Sequence, residues 1–295
     1  MREQQSLPIS VAVITLNEER DLPRCLESVH GLASEIVVID SGSTDETAEV
    51  ARSFGARFES VPWRGHIGQK NAALERCSNP WVLCLDADEA LSPGLAASIR
   101  KLFANGDPVE DGFWVNRRTF YLGGWIWHAW YPEWRLRFVR KGVARWGGLN
   151  PHDKLQVGGA TARLDGDLLH YSYENLEDHF RKATNYARIS AESYQRDGRQ
   201  FRWYYLVFSP WWAFFKRLIL KQAWRDGWRG WIISFVHMAN VSAKYAFLWE
   251  KQRSNPGAVA AAPDRVQERL APLRPWSVNI GAASEAQPVP RERQP

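Results

Sequence analysis

Short apolar runs alternate with amphipathic segments along the first third of the chain. The runs at 9–15 and 81–85 are rich in β-branched or large apolar residues and predict buried strands; 35–40 predicts a second strand and 57–61 a short third one. The segments between them predict helices, and in the first of these the residues that share one apolar face are Leu22, Cys25, Leu26 and Val29. Alternation of this kind predicts a parallel sheet with right-handed crossovers.

Acidic residues follow three of these predicted strands: Glu18, Asp40, and the pair Asp86 and Asp88. The carboxyl ends of parallel strands meet at one edge of a sheet, where open α/β sheets bind ligands. If the chain stays extended past residue 85, Asp86 and Asp88 share a face and can hold one cation together with substrate phosphates. Oxygen ligands favour Mg²⁺ or Mn²⁺ over zinc. Such a pair taken alone is equally consistent with a solvated acidic turn. Before the first helix, Asn17 is suited to a capping role.

Past residue 104 the alternation gives way to two predicted strands of mixed polarity, at 112–122 and 134–141, with an aromatic loop between them. The loop carries Trp125, Trp127 and Trp130, whose flat faces suit sugar rings but which could equally fill a core. A polar helix is predicted at 174–196, with apolar contacts from Leu176, Phe180, Tyr186 and Ile189.

Segment 201–253 concentrates Trp, Tyr, Lys and Arg, and neither of its apolar runs is long enough to span a bilayer. This composition favours helices that lie in the interface of an anionic membrane. The alternative is an aromatic hairpin that packs on the catalytic domain or on a second subunit, as in a homodimer. The net charge of +5 and 16 Trp residues fit a membrane partner. Three cysteines without metal-ligand spacing and a polar N-terminus predict a reduced chain with no signal peptide.

Four motifs in order resemble the nucleotide-sugar motifs of glycosyltransferase family 2, which has the GT-A fold. They lie at 13–18 (VITLNE), 38–45 (VIDSGSTD), 68–71 (GQKN) and 85–89 (LDADE). The resemblance implies an α/β fold, a Rossmann-like mixed sheet with helices on both faces, to which this chain adds a C-terminal aromatic helical extension. Up to about residue 252 the chain is most similar to lipopolysaccharide core glycosyltransferases of the inner-core β-1,4-glucosyltransferase type.

The resemblance also implies roles for individual residues. Asp88 would be the principal ligand of Mg²⁺ or Mn²⁺, and Asp86 would face the ribose and the metal-bound diphosphate. The other residues expected to bind the donor are Thr15, Asn17 and Glu18 around the nucleotide, Asp40 and Ser41 at the base or ribose, and Lys70 and Asn71 beside the sugar diphosphate. Arg137 is a candidate for phosphate or acceptor contacts, beside the three tryptophans.

Direct displacement at an anomeric carbon needs a base opposite the leaving group. The related enzymes carry a His followed by an acid, more usually Glu, in the segment that here reads 147–154. We therefore expect Asp153 to be the base, with His152 orienting it or binding phosphate, and Glu133 in reserve. A single displacement with one base inverts the anomeric configuration.

The predicted domains are a catalytic domain at 1–200, with a nucleotide-sugar half (1–104) and an acceptor half (105–200), membrane-interfacial helices at 201–253, and a disordered tail at 254–295. The predicted activity is inverting, metal-dependent transfer of a hexose, with UDP-glucose the favoured donor. The acceptor would be a lipid-linked saccharide, the inner core of lipopolysaccharide, at the cytoplasmic face of the inner membrane, where the protein binds peripherally. No nucleic-acid partner is expected.

The sequence leaves some other functions open and excludes others. Another lipid or a protein could be the acceptor, and a GT-A protein that only binds membranes would lack metal-dependent nucleotide binding. A sugar nucleotidyltransferase needs a glycine-rich basic loop after its first strand, which residues 16–20 do not supply. A P-loop ATPase needs a G-x4-G-K-[ST] sequence, which is missing from 65–71.

Overall fold

The structure is a computed structural model that describes residues 6–104, 106–149 and 152–254, apart from the side chains of Leu149 and His152. Its strands are β1 (Leu7–Thr15), β2 (Ala33–Asp40), β3 (Arg57–Ser60), β4 (Trp81–Asp86), β5 (Glu89–Leu91), β6 (Gly112–Tyr121), β7 (Gly124–Trp125), β8 (Glu133–Arg140), β9 (Ala144–Leu149), β10 (His152–Val157) and β11 (Thr161–His170). Its α-helices are α1 (Leu22–Val29), α2 (Thr47–Ser53), α3 (Gly65–Arg76), α4 (Pro93–Leu102), α5 (Leu176–Arg196), α6 (Trp203–Phe215) and α7 (Trp228–Ser254).

One mixed sheet organises the fold, in the order β3-β2-β1-β4-β8-β6-β11-β5, with β7 paired to β6. The first four strands run parallel, as the alternation predicts. Strand β8 is antiparallel to both of its neighbours, β4 and β6, and so joins the predicted nucleotide half to the later strands. Strands β9 and β10 form a separate hairpin. The carboxyl ends of β1, β2 and β4 therefore lie side by side.

Two apolar layers cover the sheet because successive side chains of each strand point to opposite faces. On one face Val11 and Leu83 pack with α1, α2 and α4, and all four predicted face residues of α1 are fully buried. On the other face Ala12 and Cys84 pack with α3 and with the β9–β10 hairpin. The predicted class, an α/β mixed sheet with helices on both faces and a C-terminal aromatic helical extension, is confirmed.

Two local predictions are wrong. Asn17 does not cap α1, which begins at Leu22 after Asp21; its side chain instead accepts a hydrogen bond from the backbone N–H of Thr44 (2.9 Å). The predicted apolar face of α5 is also largely wrong, since Leu176, Phe180 and Tyr186 are exposed. The helix instead buries Asp178, His179, Ala187 and Ala191, because small and polar residues allow the close approach of α7.

The C-terminal helices pack on one another and on the rest of the chain. Helix α6 continues into a π-helical turn at Lys216–Leu220, and a 3₁₀ turn at Ala223–Asp226 leads into α7. Helix α7 lies against both α5 and α6, with the rings of Tyr205 and Tyr245 stacked at 5.4 Å. No helix in the described part of the chain combines the length and the apolar character needed to cross a bilayer. Most of the predicted disordered tail, from residue 255 onward, lies outside the described residues.

Candidate active site

Asp40 fixes the loop that follows β2. One carboxylate oxygen accepts hydrogen bonds from the N–H groups of Gly42 (2.7 Å) and Ser43 (2.8 Å), and the other accepts from the Thr15 hydroxyl (2.9 Å). Asp40 is only 2% exposed. Burial alone would raise its pKa, but these hydrogen bonds, led by those from Ser43, outweigh burial and lower the pKa. Two predicted donor residues, Thr15 and Asp40, are thus in contact at adjacent strand ends.

The loop after β1 is tied to the same region. Asn17, at a φ of 56°, donates its backbone N–H to the Ser43 hydroxyl (2.8 Å). The Ser41 hydroxyl accepts a hydrogen bond from Gln69 of α3 (2.8 Å). Burial, followed by the negative charge of Asp88, raises the pKa of the half-buried Glu18 to about 7. Glu18 is therefore a partly buried carboxyl near Asp88 at the carboxyl end of the sheet.

Lys70 connects two predicted parts of the site. Its Nζ lies 2.9 Å from Asp86 Oδ1 and 2.9 Å from Asp153 Oδ2, and 4.5 Å from the centre of the Trp146 ring. Burial alone would lower the lysine pKa, but the charge of Asp86 and then that of Asp153 raise it, so the amine stays protonated. The structure thus brings the predicted base, Asp153, beside the predicted donor residues Lys70 and Asp86.

Asn71 holds the hairpin in this position. Its amide donates to the backbone carbonyl of Trp146 (3.0 Å) and accepts from the backbone N–H of the same residue (2.9 Å). Because the Asn71 amide is hydrogen-bonded to both the carbonyl and the N–H of Trp146, it positions this part of β9 next to Lys70. The backbone of His152 opens β10, whereas its side chain lies outside the described residues, so its predicted role stays a prediction.

Beneath Asp86 lies a buried ion cluster. Arg137, 4% exposed, places Nη2 2.7 Å from Asp86 Oδ2 and 2.7 Å from Glu89 Oε1. Glu89 is fully buried and accepts a hydrogen bond from the backbone N–H of Asp86 (3.0 Å). Burial alone would raise the pKa of Asp86, but Arg137 and then Lys70 hold it well below its usual range. Arg137 therefore supports Asp86 from inside the protein and does not face solvent.

Asp88 faces a histidine that the sequence did not single out. Its Oδ2 lies 3.3 Å from Nε2 of His170, the last residue of β11, whose Nδ1 lies 3.3 Å from the Thr119 hydroxyl. Burial alone would raise the pKa of Asp88, but His170 lowers it. The same rule that selected acids at strand ends would have found His170, had β11 been recognised as a strand of this sheet.

Glu133, the reserve base, sits between two guanidinium groups. Its Oε2 lies 2.8 Å from Arg117 Nε, and its Oε1 pairs with Arg135. Burial would raise its pKa, but Arg117 and then Arg135 lower it. Both oxygens of Glu133 are thus engaged in ion pairs, whereas Asp153 contacts Lys70 through one oxygen, Oδ2.

The aromatic loop splits into an exposed and a packed part. The guanidinium carbon of Arg118 lies 5.0 Å from the Trp125 ring and 4.3 Å from the Trp127 ring, and Trp127 is 48% exposed. Trp130 instead stacks on Tyr173 at 5.5 Å and belongs to a packed aromatic cluster. Trp127 is thus the exposed ring of the three, Trp125 is half-buried, and Trp130 contributes to packing.

A carboxylate from the C-terminal helices holds this loop. Asp226 accepts hydrogen bonds from the backbone N–H groups of Trp127 (2.9 Å), His128 (3.1 Å) and Ala129 (2.8 Å). Arg217 donates to the carbonyl of Ala129 (2.9 Å). We call this set of bonds the loop clamp. Sequence reasoning missed it because the partners are nearly a hundred positions apart and no motif marks them.

The sequence matches a known protein family and several of its members. The family model described as "Glycosyl transferase family 2" matches residues 10–163. The lipopolysaccharide core biosynthesis glycosyltransferase LpsC of Rhizobium meliloti is 34% identical over 88% of this chain and 96% of its own length. A glycosyltransferase of Rickettsia typhi is 29% identical over 77% of this chain and 82% of its own.

Among solved structures, glucosyl-3-phosphoglycerate synthase of Mycobacterium tuberculosis, crystallised with Mn²⁺, UDP and glucosyl-3-phosphoglycerate, is 29% identical over 39% of this chain and 44% of that chain, with a TM-score of 0.31. The family model spans just over half of the chain, and LpsC is matched along nearly its whole length. The chain therefore belongs to glycosyltransferase family 2 and is a glycosyltransferase similar to an enzyme of lipopolysaccharide core biosynthesis.

Proposed function

We propose that this glycosyltransferase inverts configuration as it moves a hexose, glucose foremost, from UDP to a saccharide of lipopolysaccharide inner core. The observation that supports this most directly is the contact of Lys70 with both Asp86 and Asp153. It joins a cation suited to a diphosphate with a carboxylate suited to take a proton. The match to LpsC supports the class of acceptor.

A divalent metal fits the residues at the end of β4. Asp88 and His170 offer an oxygen and a nitrogen 3.3 Å apart, and the charge of Asp88 adds to the effect of burial in raising the pKa of the nearby Glu18. Asp86 has both oxygens paired with Lys70 and Arg137, so Asp88 and His170 would hold the metal. Within the described residues no group of three His, Cys, Asp or Glu side chains is arranged to hold a metal ion, so the phosphates of the substrate would have to complete the shell. Bound Mg²⁺ or Mn²⁺ would supply charge stabilisation to the leaving diphosphate.

The chain's own residues would carry the proton and the charge. Asp153 would take the proton of the attacking hydroxyl as its oxygen bonds to the anomeric carbon and the bond to the UDP oxygen breaks. Lys70 would turn from Asp153 toward the diphosphate when the donor enters, which frees the carboxylate for the acceptor. Trp125 and Trp127 would offer their faces to the acceptor sugar.

We further propose that the aromatic face of α6 rests on an anionic membrane, at the cytoplasmic side. Its large side chains project outward: Trp203 is 65% exposed, Phe208 63% and Trp212 63%. Trp211 and Phe215 of α6 are also exposed, and after the helix Ile219, Leu220, Trp224 and Trp228 are exposed as well. An apolar patch of this extent marks an interaction surface. The exposed cations of the same segment are Lys216, Lys221 and Arg225, whereas Arg217 and Arg229 donate to backbone carbonyls of the aromatic loop region.

The test of the activity is calorimetric titration with a panel of sugar nucleotides, UDP-glucose first, with Mn²⁺ or Mg²⁺ and then with chelator. We expect binding of UDP-glucose that chelator abolishes, followed by transfer to a lipopolysaccharide inner-core acceptor. Binding of a different sugar nucleotide would leave the proposed glycosyl transfer intact but would change the sugar that is transferred. Binding unaffected by chelator would contradict the metal proposal.

A further inference from the structure

A second concave site lies at the end of α5 remote from the sheet. This pocket has a volume of about 460 Å³. It is lined by Tyr194, Arg199, Gln200, Arg202, Tyr205, Tyr245 and Leu248, and we call it the Arg199 pocket. His179, near the other end of the same helix, packs on Tyr121 and Trp130 beside the aromatic loop. Fifteen helical residues separate His179 from Tyr194, which corresponds to roughly 22 Å along the helix axis.

The pocket carries positive charge without acidic partners. Among the described residues, neither Arg199 nor Arg202 takes part in an ion pair, and no acidic residue lines the pocket. Lys244 adds a third cation, with Nζ 4.8 Å from the centre of the Tyr194 ring and 4.6 Å from that of Tyr245. The charge is therefore available to an anion.

The cationic groups are held in place by the chain around them. Arg199 lies over the Tyr194 ring at 4.3 Å, and its carbonyl accepts a hydrogen bond from Gln252 (2.7 Å). The same Gln252 side chain accepts from the backbone N–H of Phe201 (2.9 Å). Helix α6 then starts at Trp203 with no side-chain cap and no acid in its first turn, so its free N–H groups add to the positive field.

We propose that the Arg199 pocket binds a phosphate group on a lipid headgroup. Planar guanidinium groups match the oxygens of phosphate, and tyrosine hydroxyls can donate further hydrogen bonds to it. Two residues of the pocket, Arg202 and Tyr205, flank the exposed Trp203 and Tyr204 in the chain, so a lipid headgroup at the proposed membrane contact of α6 would lie near the pocket. This assignment rests on the proposed membrane contact of α6 for its source of phosphate.

The experiment compares the full chain with Arg199→Ala/Arg202→Ala and with the control Arg52→Ala/Lys101→Ala, which removes the same charge from exposed positions outside α5–α7. The probes are dihexanoyl phosphatidic acid as monomers, inorganic phosphate, and vesicles of phosphatidylcholine with or without phosphatidic acid. Calorimetry follows the soluble probes and co-sedimentation follows the vesicles. UDP-glucose binding checks that each variant is folded.

We expect the pocket variant to bind monomeric phosphatidic acid at least about tenfold more weakly, the scale of losing one hydrogen bond to a charged group, while the control binds normally. The substitution Arg202→Glu should weaken the binding of phosphatidic acid further. Equal losses in both double variants, or no binding of any phosphate probe by the natural chain, would overturn the pocket. If inorganic phosphate binds as tightly as the lipid, and the pocket variant loses this binding, the pocket is a phosphate site whose ligand is free phosphate and not a lipid.

The two proposals fail separately. Vesicle binding without binding of monomeric lipid or phosphate rejects the pocket and keeps the membrane contact of α6. Binding of monomeric lipid without vesicle binding keeps the pocket as a phosphate site and rejects the membrane contact.

Discussion

Lys70 and Asp153 lie 83 positions apart in the chain, and their side chains meet at 2.9 Å. The contact depends on Asn71, one residue further along α3, which bonds both backbone groups of Trp146 and so holds the β9–β10 hairpin against the helix. The proposed base on the hairpin and the proposed phosphate-binding cation on the helix are thereby kept within one hydrogen bond of each other. The position of the hairpin is therefore part of the proposed catalytic geometry.

Replacement of Asp153 by Asn should lower turnover about 100-fold or more, the scale of a general base, with donor affinity unchanged. The amide keeps the size of the side chain but takes no proton. Steady-state rates and donor titrations check this. Glu133→Gln is the matched control, because its carboxylate is held by Arg117 and Arg135. A larger rate loss in Glu133→Gln than in Asp153→Asn would move the base to Glu133.

Asp88→Ala and His170→Ala should each abolish metal-dependent binding of UDP-glucose, and the double variant should be no worse than either one. The two residues would act as a unit, so their effects would not add. Calorimetry in Mn²⁺ measures this directly. His30→Ala, an exposed histidine on α1's far end, is the control. Additive losses, or retained metal dependence in His170→Ala, would contradict a shared metal.

Asp226→Asn should weaken the loop clamp by placing an amide NH₂ against backbone N–H donors. We expect a stability loss of about 2 kcal/mol or more, the cost of leaving a buried donor unsatisfied. Faster proteolysis within 123–132 and a higher KM for the acceptor should accompany it, with donor binding unchanged. Asp197→Asn, at an exposed helix end, should alter none of these. An Asp226→Asn protein with normal loop proteolysis and acceptor KM would show that the clamp has no part in acceptor binding.

Stability should fall as the pH drops from about 6.5 toward 4, because of His179. Burial lowers the pKa of this histidine from 6.5 to about 4, and its Nδ1 lies 2.7 Å from the Tyr121 hydroxyl. Between pH 6.5 and 4 the His179 imidazole is protonated in the unfolded chain but stays neutral in the folded chain. This difference lowers the free energy of unfolding by at most about 3 kcal/mol.

His179→Gln keeps an acceptor for Tyr121 but does not titrate, so its unfolding free energy should depend less on pH between 6.5 and 4. His237, whose pKa burial also lowers to about 4, is present in both proteins and cancels in the comparison. Denaturant unfolding at several pH values gives the difference. If the unfolding free energies of the two proteins depend on pH in the same way, His179 does not cause the loss of stability at low pH.

Local patterns could predict the first half of the fold because its strands and helices are consecutive. The acids at 18, 40 and 86 were recognisable for the same reason, since parallel strands deliver their ends to one edge. Strand β11 and His170 were missed because β11 enters the sheet beside β6, far along the chain, with alternating polarity too weak to indicate its partner. The burial of Arg137 could not be foreseen either, because it depends on the pairing of β8 with β4.

The loop clamp also bears on how such enzymes can be altered. A chain cut at residue 200 would leave three consecutive backbone N–H groups of the aromatic loop without their acceptor, so the catalytic part would lose more than a means of attachment. A chimera that takes its C-terminal helices from a relative must take the matching loop with them. With the roles proposed for the loop and for α6, acceptor preference and attachment to a membrane would be inherited together, as one exchangeable unit.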